Sequence, residues 1–313
     1  MSAKLHRFDE FTESEIQRLV DSLESLNEGE LGVSMLVACG VKAIPALRSF
    51  LLHGRPRVVY QPRQRAVRAL AELEAKDVLL EYLRTSKDHL PPEIRYAEEA
   101  VESTAARHLS RWQTDDVFET LLALLSHRVV TGAIETLGEF RRAESVPALI
   151  RLLGDDVARP FAADAIRKIG SPAAPELVEA AITPDPRRSE ESPSSIVRRK
   201  QALGLLLEIG EFGSALSRME ALLYDPDPEI AARVAQMILQ VGDESQKRGA
   251  VEKLLEVYKN TNWIIQSDIQ KSLACVWEIS RPFVEKRLIN SNKLSYSEAT
   301  LLRSLLSSQR NDR

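Results

Sequence analysis

Three glutamates, Glu98, Glu99 and Glu102, stand close together in a stretch with a helical pattern. Glu98 and Glu102 are four residues apart and would share one helix face, where paired carboxylates could bind a metal ion or act as acid and base. No histidine accompanies them at ligand spacing, because His108 lies six residues beyond Glu102 and therefore on another side of the helix. The pattern favours a solvated helix face over an active site.

The other residue types that carry catalysis are scattered along the chain. There are two cysteines, Cys39 and Cys275, and five histidines, namely His6, His53, His89, His108 and His127. They form neither Cys-x-x-Cys nor His-x-x-x-His, the spacings that zinc sites use. Glycines stand singly where helical patterns end, so no phosphate-binding loop is indicated, and Cys39 lies in an apolar run typical of a core. The sequence therefore favours a protein without enzyme activity, metal or cofactor.

Cations at one recurring position are the feature that points to binding. The row consists of Arg63, Arg95, His127, Arg159 and Arg199, with Arg65, Arg198 and Lys200 beside it. Its members fall in the first turn of predicted helices, where a cation opposes the helix dipole and needs compensation. Two interpretations stay open. The cations could pair internally with acidic turn residues such as Asp88, Asp155, Asp185 and Asp225, or they could bind an anionic partner along the row.

A repeating helical unit must position this row. An apolar residue followed by glycine recurs at Leu137, Ile169, Ile209 and Val241, at intervals of 32, 40 and 32 residues. Each interval holds two amphipathic helices, and the glycine is expected to end the second one. Thr12 and Asp227 are predicted N-caps, as is Ser171 before Pro172.

One such helix pair cannot bury its own apolar face, so successive pairs must stack. We therefore expect an all-α fold, a right-handed α-solenoid (superhelix) of about seven to eight stacked antiparallel helix pairs. It would form a single domain over 1–313. That domain would comprise N-terminal capping helices (1–42), regular repeats (43–242), and a divergent C-terminal repeat and cap (243–313).

Two segments carry a resemblance to a known family. Val146-Pro-Ala-Leu-Ile-Arg-Leu-Leu153, followed by Ala163-Asp-Ala-Ile-Arg-Lys-Ile-Gly170, resembles the HEAT-like repeats named after phycobilisome lyases, as found in bacterial HEAT-repeat proteins. The resemblance covers most of the chain and implies the solenoid fold. It implies little about function, since the class includes scaffolds, chromophore lyases, an iron-dependent hydroxylase and a DNA glycosylase. The hydroxylase binds iron through His-Glu dipeptides, and none of the five histidines is followed by glutamate.

Net charge and apolar content also indicate which classes of partner to expect. The net charge of −4 argues against a dedicated nucleic-acid binder, which is usually basic. The longest apolar stretch, 32–41, is half as long as a membrane span, which needs roughly 20 residues. With only two distant cysteines and a charged N-terminus, we expect a soluble cytoplasmic protein.

The sequence thus predicts a non-enzymatic scaffold or adaptor. Its concave inner helices and its long intra-repeat loops, at 53–61, 86–91 and 183–194, would bind an acidic or extended segment of a protein partner. The predicted binding residues are Arg63, Arg65, Arg95, Arg159, Arg198 and Arg199, with Tyr60 as an aromatic anchor.

Two alternatives remain beside the scaffold. One is a DNA-binding module or HEAT-like DNA glycosylase, which would use the arginine row together with Trp112, Trp263 and Trp277. The apolar helical surroundings of these tryptophans favour packing instead. The other is a lyase-type HEAT protein, for which no diagnostic residue can be identified.

Overall fold

The computed structural model describes residues 11–185, 190–289 and 294–308, and within these ranges the regular structure is helical throughout. The helices alternate between the first and the second member of a pair. The first helices are α1 (Glu13–Ser22), α3 (Ile44–His53), α5 (Lys76–Arg84), α7 (Asp115–His127), α9 (Val146–Leu152), α11 (Ala174–Ile182), α13 (Leu216–Met219), α15 (Glu244–Val257) and α17 (Trp277–Ile289). The second helices are α2 (Gly29–Ala38), α4 (Gln61–Glu72), α6 (Pro92–Leu109), α8 (Thr131–Phe140), α10 (Arg159–Ile169), α12 (Pro193–Ile209), α14 (Pro228–Val241), α16 (Trp263–Cys275) and α18 (Tyr296–Ser308).

The chain divides into two compact units. Unit 1 comprises Met1–Leu149 and Pro160–Ile169, and unit 2 comprises Ile150–Arg159 and Gly170–Arg313. In unit 1, second helices pack on second helices in the order α2, α4, α6, α8, and first helices pack in the order α1, α3, α5, α7. In unit 2, α12, α14, α16 and α18 follow one another in the same way. This stacking of helix pairs is that of an α-solenoid, which confirms the predicted fold class; the single domain over 1–313 stays a prediction.

The described residues contain eighteen α-helices, enough for nine pairs, whereas the sequence indicated about seven to eight. The ninth, α17 with α18, occupies the segment that was expected to be a short cap. Its helices carry no glycine at their ends, and Pro282 lies inside α17, so the signals used to count repeats are missing there.

Helix ends follow the sequence signals in part. Gly210 has the positive φ of 81° that a left-handed helix end requires, and Asp227 caps α14 by accepting from the backbone amides of Glu229 and Ile230. Gly138 does not end α8, which continues to Phe140 and closes with Arg141 at a φ of 53°. The segment Ser171–Ala173 forms a 3-10 turn without a side-chain cap, and α11 begins at Ala174.

Candidate functional site

Arg63 of the predicted row is buried and points inward. One of its terminal nitrogens, Nη2, donates to the carbonyl oxygen of Leu51 at 2.7 Å, and Nε lies 2.7 Å from Oε1 of Glu98. Leu51 belongs to the last turn of α3, whose carbonyls have no partners within that helix. The C-terminus of α3 therefore supplies the negative dipole end that compensates a cation in the first turn of α4.

Four further arginines in the row or beside it, Arg65, Arg159, Arg198 and Arg199, repeat this arrangement. Arg199 donates to the carbonyl of Ala181 at 2.8 Å, and its guanidinium also pairs with Glu191 and Asp225. The remaining carbonyl contacts are Arg65 with Leu23 and Ser25, Arg159 with Leu153, and Arg198 with Thr183. In each case the arginine of a second helix holds the end of a first helix.

These contacts agree with the interpretation in which the cations of the row pair within the protein. Most of the acidic partners differ from the aspartates that were predicted. Asp225 pairs with Arg199 as predicted. Asp155 instead accepts from the backbone amides of Val157 and Ala158, and Asp88 accepts from the hydroxyl of Ser86. The binding role of the inward-facing arginines stays a prediction.

Glu98 and Glu102 are buried, so the expectation of a solvated face is wrong. Their exposed fractions are 1% and 0%. Glu98 accepts from the hydroxyl of Tyr82 at 2.7 Å, while Oε1 of Glu102 lies 3.1 Å from Nζ of Lys87 and 2.9 Å from Nη1 of Arg128. Helix α6 packs between α4 and α8, so both of its flanks are covered. We call Arg63, Tyr82, Lys87, Glu98, Glu102 and Arg128 the buried ionic cluster.

The buried ionic cluster is held by opposing electrostatic effects. Burial raises the pKa of the Glu102 carboxyl, and Lys87 and Arg128 oppose this shift. Burial likewise lowers the pKa of the Lys87 ammonium, and Glu102 opposes it. Lys87 also donates to the carbonyls of Tyr82 and Thr85 at 2.7 and 2.8 Å. These buried charges are therefore paired within the protein, and no group of potential metal ligands was found among the described residues.

Arg95 differs from the other predicted arginines because it faces solvent. Neither Arg95 nor Arg55 makes a hydrogen bond or ion pair within the described part of the chain. Close to them in sequence, Val58, Val59 and Tyr96 are exposed apolar side chains. Tyr60, the predicted anchor, is half-buried at the start of α4. We call Arg55, Val58, Val59, Arg95 and Tyr96 the basic edge.

The members of the basic edge come from adjoining helix pairs. The segment with Arg55, Val58 and Val59 leads into α4, and Arg95 and Tyr96 lie in the first turns of α6. The ion pair between Arg63 and Glu98 holds the N-terminal ends of α4 and α6 together. The sequence predicted binding at the loop 53–61 and at Arg95, but it did not single out Val58, Val59 and Tyr96 as exposed apolar side chains.

A pocket of about 380 Å³ opens between α5 and α7 at the same end of the pairs. Its lining includes Leu83, Leu124, Arg84, Asp88 and Arg128. Arg84 donates to the hydroxyl of Thr120, and Arg128 belongs to the buried ionic cluster. The lining also includes Glu119, so it contains carboxylates as well as cations.

Unit 2 presents three exposed aromatic side chains. Trp263 is 77% exposed, which contradicts the expectation that it packs in the core, and Tyr224 and Tyr296 are 82% and 88% exposed. Trp112 and Trp277 are half-buried. Part of the predicted loop 183–194, residues 186–189, lies outside the described residues.

Comparison with known proteins supports the repeat assignment. Residues 89–160 match the family model of HEAT repeats, which confirms the predicted HEAT-like repeats in this part of the chain. No curated protein matches the sequence. The fold is similar to a chain in "The structure of the complex of CpcE and CpcF of phycocyanin lyase from Nostoc sp. PCC7120", with 16% identity and a TM-score of 0.35, over 74% of this chain and 94% of that chain. No helix among the described residues has the length and apolar character needed to span a membrane.

Proposed function

We propose that this protein, whose residues 89–160 are HEAT repeats, is a non-enzymatic cytoplasmic scaffold that captures an acidic segment of a partner protein at the basic edge. The observation that carries the proposal is the pair of exposed cations without an acidic partner, Arg55 and Arg95, beside three exposed apolar side chains. The predicted arginines other than Arg95 already pair or hydrogen-bond within the protein, whereas Arg95 and the neighbouring Arg55 remain available to a ligand.

Local charge supports an acidic ligand. The segment 53–60 contains Arg55, Arg57 and His53 but no carboxylate, and Arg57 is already paired with Glu24. Glu93 is exposed near Arg95, but residues two apart on a helix point about 200° from each other. Glu99 does share the face of Arg95. Burial raises the pKa of that carboxyl, while Arg128 and Arg95 oppose the shift without an ion pair.

The apolar members give the site a second means of recognition. Exposed charge pairs alone contribute little, roughly 0–1 kcal/mol each, so a ligand held only by Arg55 and Arg95 would bind weakly. Val58, Val59 and Tyr96 offer apolar area that a leucine or phenylalanine of the ligand can cover, and aromatic residues are enriched among the energetically important members of interfaces. The favoured ligand therefore combines glutamates or aspartates with bulky apolar residues.

The test measures fluorescence anisotropy with a labelled peptide that joins a run of glutamates to leucine and phenylalanine. We expect it to bind the wild type, and we expect Arg55→Glu/Arg95→Glu to weaken binding by about tenfold, because two attractions become repulsions. The matched control is Arg18→Glu/Arg151→Glu, which changes the net charge equally at two exposed arginines without partners and should leave affinity unchanged.

Three outcomes would overturn the proposal. The acidic peptide could fail to bind, it could bind Arg55→Glu/Arg95→Glu as tightly as the wild type, or its lysine-containing counterpart could bind equally well. Tight binding of duplex DNA that falls steeply with salt, with no binding of the peptide, would favour the nucleic-acid alternative instead.

A further inference from the structure

The first helix pair of the described residues leaves one side of α2 uncovered. Helix α2 packs on α1 and on α4, and no helix pair precedes α1 in the part of the chain that the structure describes. The longest apolar stretch of the sequence, 32–41, falls largely within this helix. An apolar helix of the kind that a central repeat covers on both flanks therefore stands at the end of a stack.

Contacts with neighbouring helices show which sides of α2 are covered. Gly29 lies against Arg65 of α4, and Glu30 pairs with the same arginine, so this side of α2 faces the second helix pair. Gly32 lies against Ser22 of α1. With about 100° of rotation per residue, the side that faces α1 lies about 60° from Gly29, in the direction away from Glu30.

The uncovered side of α2 carries an apolar stripe. Leu31, Met35 and Ala38 have the spacing of one helix face, and their positions on the helix place them on the side opposite α4. Leu31 is 64% exposed, and the other two are half-buried. Leu26 and Val41, which stand just before and just after α2, are 86% and 75% exposed. We call Leu31, Met35 and Ala38 the α2 stripe.

The last described helix, in contrast, has the polar surface that suits the end of a stack. Helix α18 packs on α16 and α17, and its exposed face carries Thr300, Arg303 and Ser307 together with Tyr296. Terminal repeats of solenoid proteins carry polar outer faces because solvent covers them. The α2 stripe departs from this rule, which indicates that a protein surface covers it. A head-to-tail contact of α2 with α18 of another copy would set the α2 stripe against polar groups, so this arrangement is disfavoured.

The distribution of apolar residues along α2 fits a second copy of the same helix. Exposed apolar side chains stand on both sides of its midpoint, so the surface is complementary to itself after a rotation by half a turn. An antiparallel copy centred on the middle of α2 brings Leu26 near Val41 of the second copy. The same arrangement brings Leu31 near Met35 of the second copy, so apolar groups meet along the whole helix.

Charges at the two ends of α2 favour the same arrangement. Glu28 precedes the helix and Lys42 follows it, and both are exposed. In an antiparallel pair each Glu28 lies near Lys42 of the second copy, whereas a parallel pair would place like charges side by side. Glu30, the one charged residue within α2, is held by Arg65 and Arg68 on the covered side, so the α2 stripe itself offers no charge to a strongly charged partner.

We propose that the α2 stripe is the contact of a two-fold symmetric homodimer, in which α2 packs antiparallel against α2 of a second copy. Such a contact closes with two subunits, because each copy uses the same surface. The basic edge belongs to α4 and α6, which lie on the covered side of α2, so each copy keeps that site for its ligand. The interface is one short helix pair, so the dimer is expected to dissociate on dilution.

Sedimentation velocity of the full-length protein over about a hundredfold range of concentration tests the contact. We expect the wild type to shift from monomer to dimer as its concentration rises. Leu31→Glu should weaken the dimer by about a hundredfold, because the substitution occurs twice in the interface and buries two unpaired carboxylates. Leu31 is exposed in the monomer, so this variant should unfold at the wild-type urea concentration. The matched control is Val157→Glu, which changes a similarly exposed apolar residue away from α2 and should leave dimerisation unchanged.

An exchange of charges tests the antiparallel orientation. Glu28→Lys should weaken the dimer by about fivefold, because it sets two lysines against each other at both ends of the helix pair, and Glu28→Lys/Lys42→Glu should restore it. Three results would each overturn the inference. The wild type could stay monomeric at every concentration, Leu31→Glu could leave the dimer intact, or the charge exchange could dimerise no better than Glu28→Lys while keeping the wild-type urea midpoint.

Discussion

At the residue scale, the arginines of the row act mainly as links between helices. Arg63 shows why, because its guanidinium satisfies the carbonyl of Leu51 and the carboxylate of Glu98 in a site closed to water. The free-energy cost of removing both charges from water is offset only while both partners are present. The contribution of each ion pair to the free energy of unfolding therefore depends on whether the pair is buried.

Replacement of Arg63 by methionine tests this dependence. We expect Arg63→Met to lower the free energy of unfolding by about 3 kcal/mol, since Glu98 would keep a buried charge with only Tyr82 as a hydrogen-bond donor. Urea denaturation followed by circular dichroism gives the measurement. Arg68→Met is the control, because Arg68 pairs with Glu30 at an exposed site and should cost less than about 1 kcal/mol.

Two further results decide the interpretation of that experiment. Adding Glu98→Gln to Arg63→Met should recover part of the stability, because a neutral amide costs less to bury than an unpaired carboxylate. Equal losses for Arg63→Met and Arg68→Met would show that burial of the pair adds nothing.

For the arginines of the row, the sequence predicted their recurrence but not their partners. The recurrence of arginines in the first turn of second helices and the need for compensation were predictable from the period and the helix dipole. Their carbonyl partners were not, because these are backbone groups of a first helix and carry no residue-type signal. Glu98 and Glu102 look solvated in sequence, since Arg63 lies 35 residues before Glu98 and Arg128 lies 26 residues after Glu102.

At the element scale, close approach of second helices matters as much as their apolar pattern. Gly132 in α8 lies so near α6 that a Cβ there would be 2.0 Å from the carbonyl oxygen of Ser103. The sequence predicted that successive pairs stack on their apolar faces, but not this contact. The recurring glycines were expected to end helices. Gly138 instead lies inside α8 against Ala165, so this glycine allows close packing.

A pair of glycine substitutions separates these roles. Gly132→Ala should lower the free energy of unfolding by about 2 kcal/mol, because the carbonyl of Ser103 is backbone and cannot move aside cheaply. Gly249→Ala, inside α15 with no atom within 4 Å of the added Cβ, should instead raise it by about 0.5–1 kcal/mol through helix propensity. Thermal and urea unfolding of both variants provide the measurement. A destabilised Gly249→Ala, or a neutral Gly132→Ala, would contradict the assignment.

At the scale of the whole molecule, the α-solenoid follows from a simple property of its parts. Each helix pair buries its apolar face on the pairs before and after it, so the fold could be predicted from periodicity alone. The number of pairs could not, since α17 and α18 lack the glycine that follows the second helices of the middle repeats. The sequence did indicate binding at the loop 53–61 and at Arg95, but not the exposure of Tyr96 or Trp263, because that depends on which helix faces the neighbouring pairs cover.

Nearest-neighbour stacking has a measurable consequence for the molecule. If the stability is a sum of contributions from each helix pair and its contacts with neighbouring pairs, a destabilising substitution should lower the stability most in its own region. Trp112 follows α6 and Trp277 begins α17, so variants that retain one or the other as the single tryptophan report on different regions. We expect Arg63→Met to lower the urea midpoint reported by Trp112 more than that reported by Trp277. Arg199→Met leaves Asp225 and Glu191 without their cation, so it should lower the midpoint reported by Trp277 more than that reported by Trp112. Equal shifts of both probes by both substitutions would mean that the chain unfolds as one cooperative body, and the pairwise account of its stability would then fail.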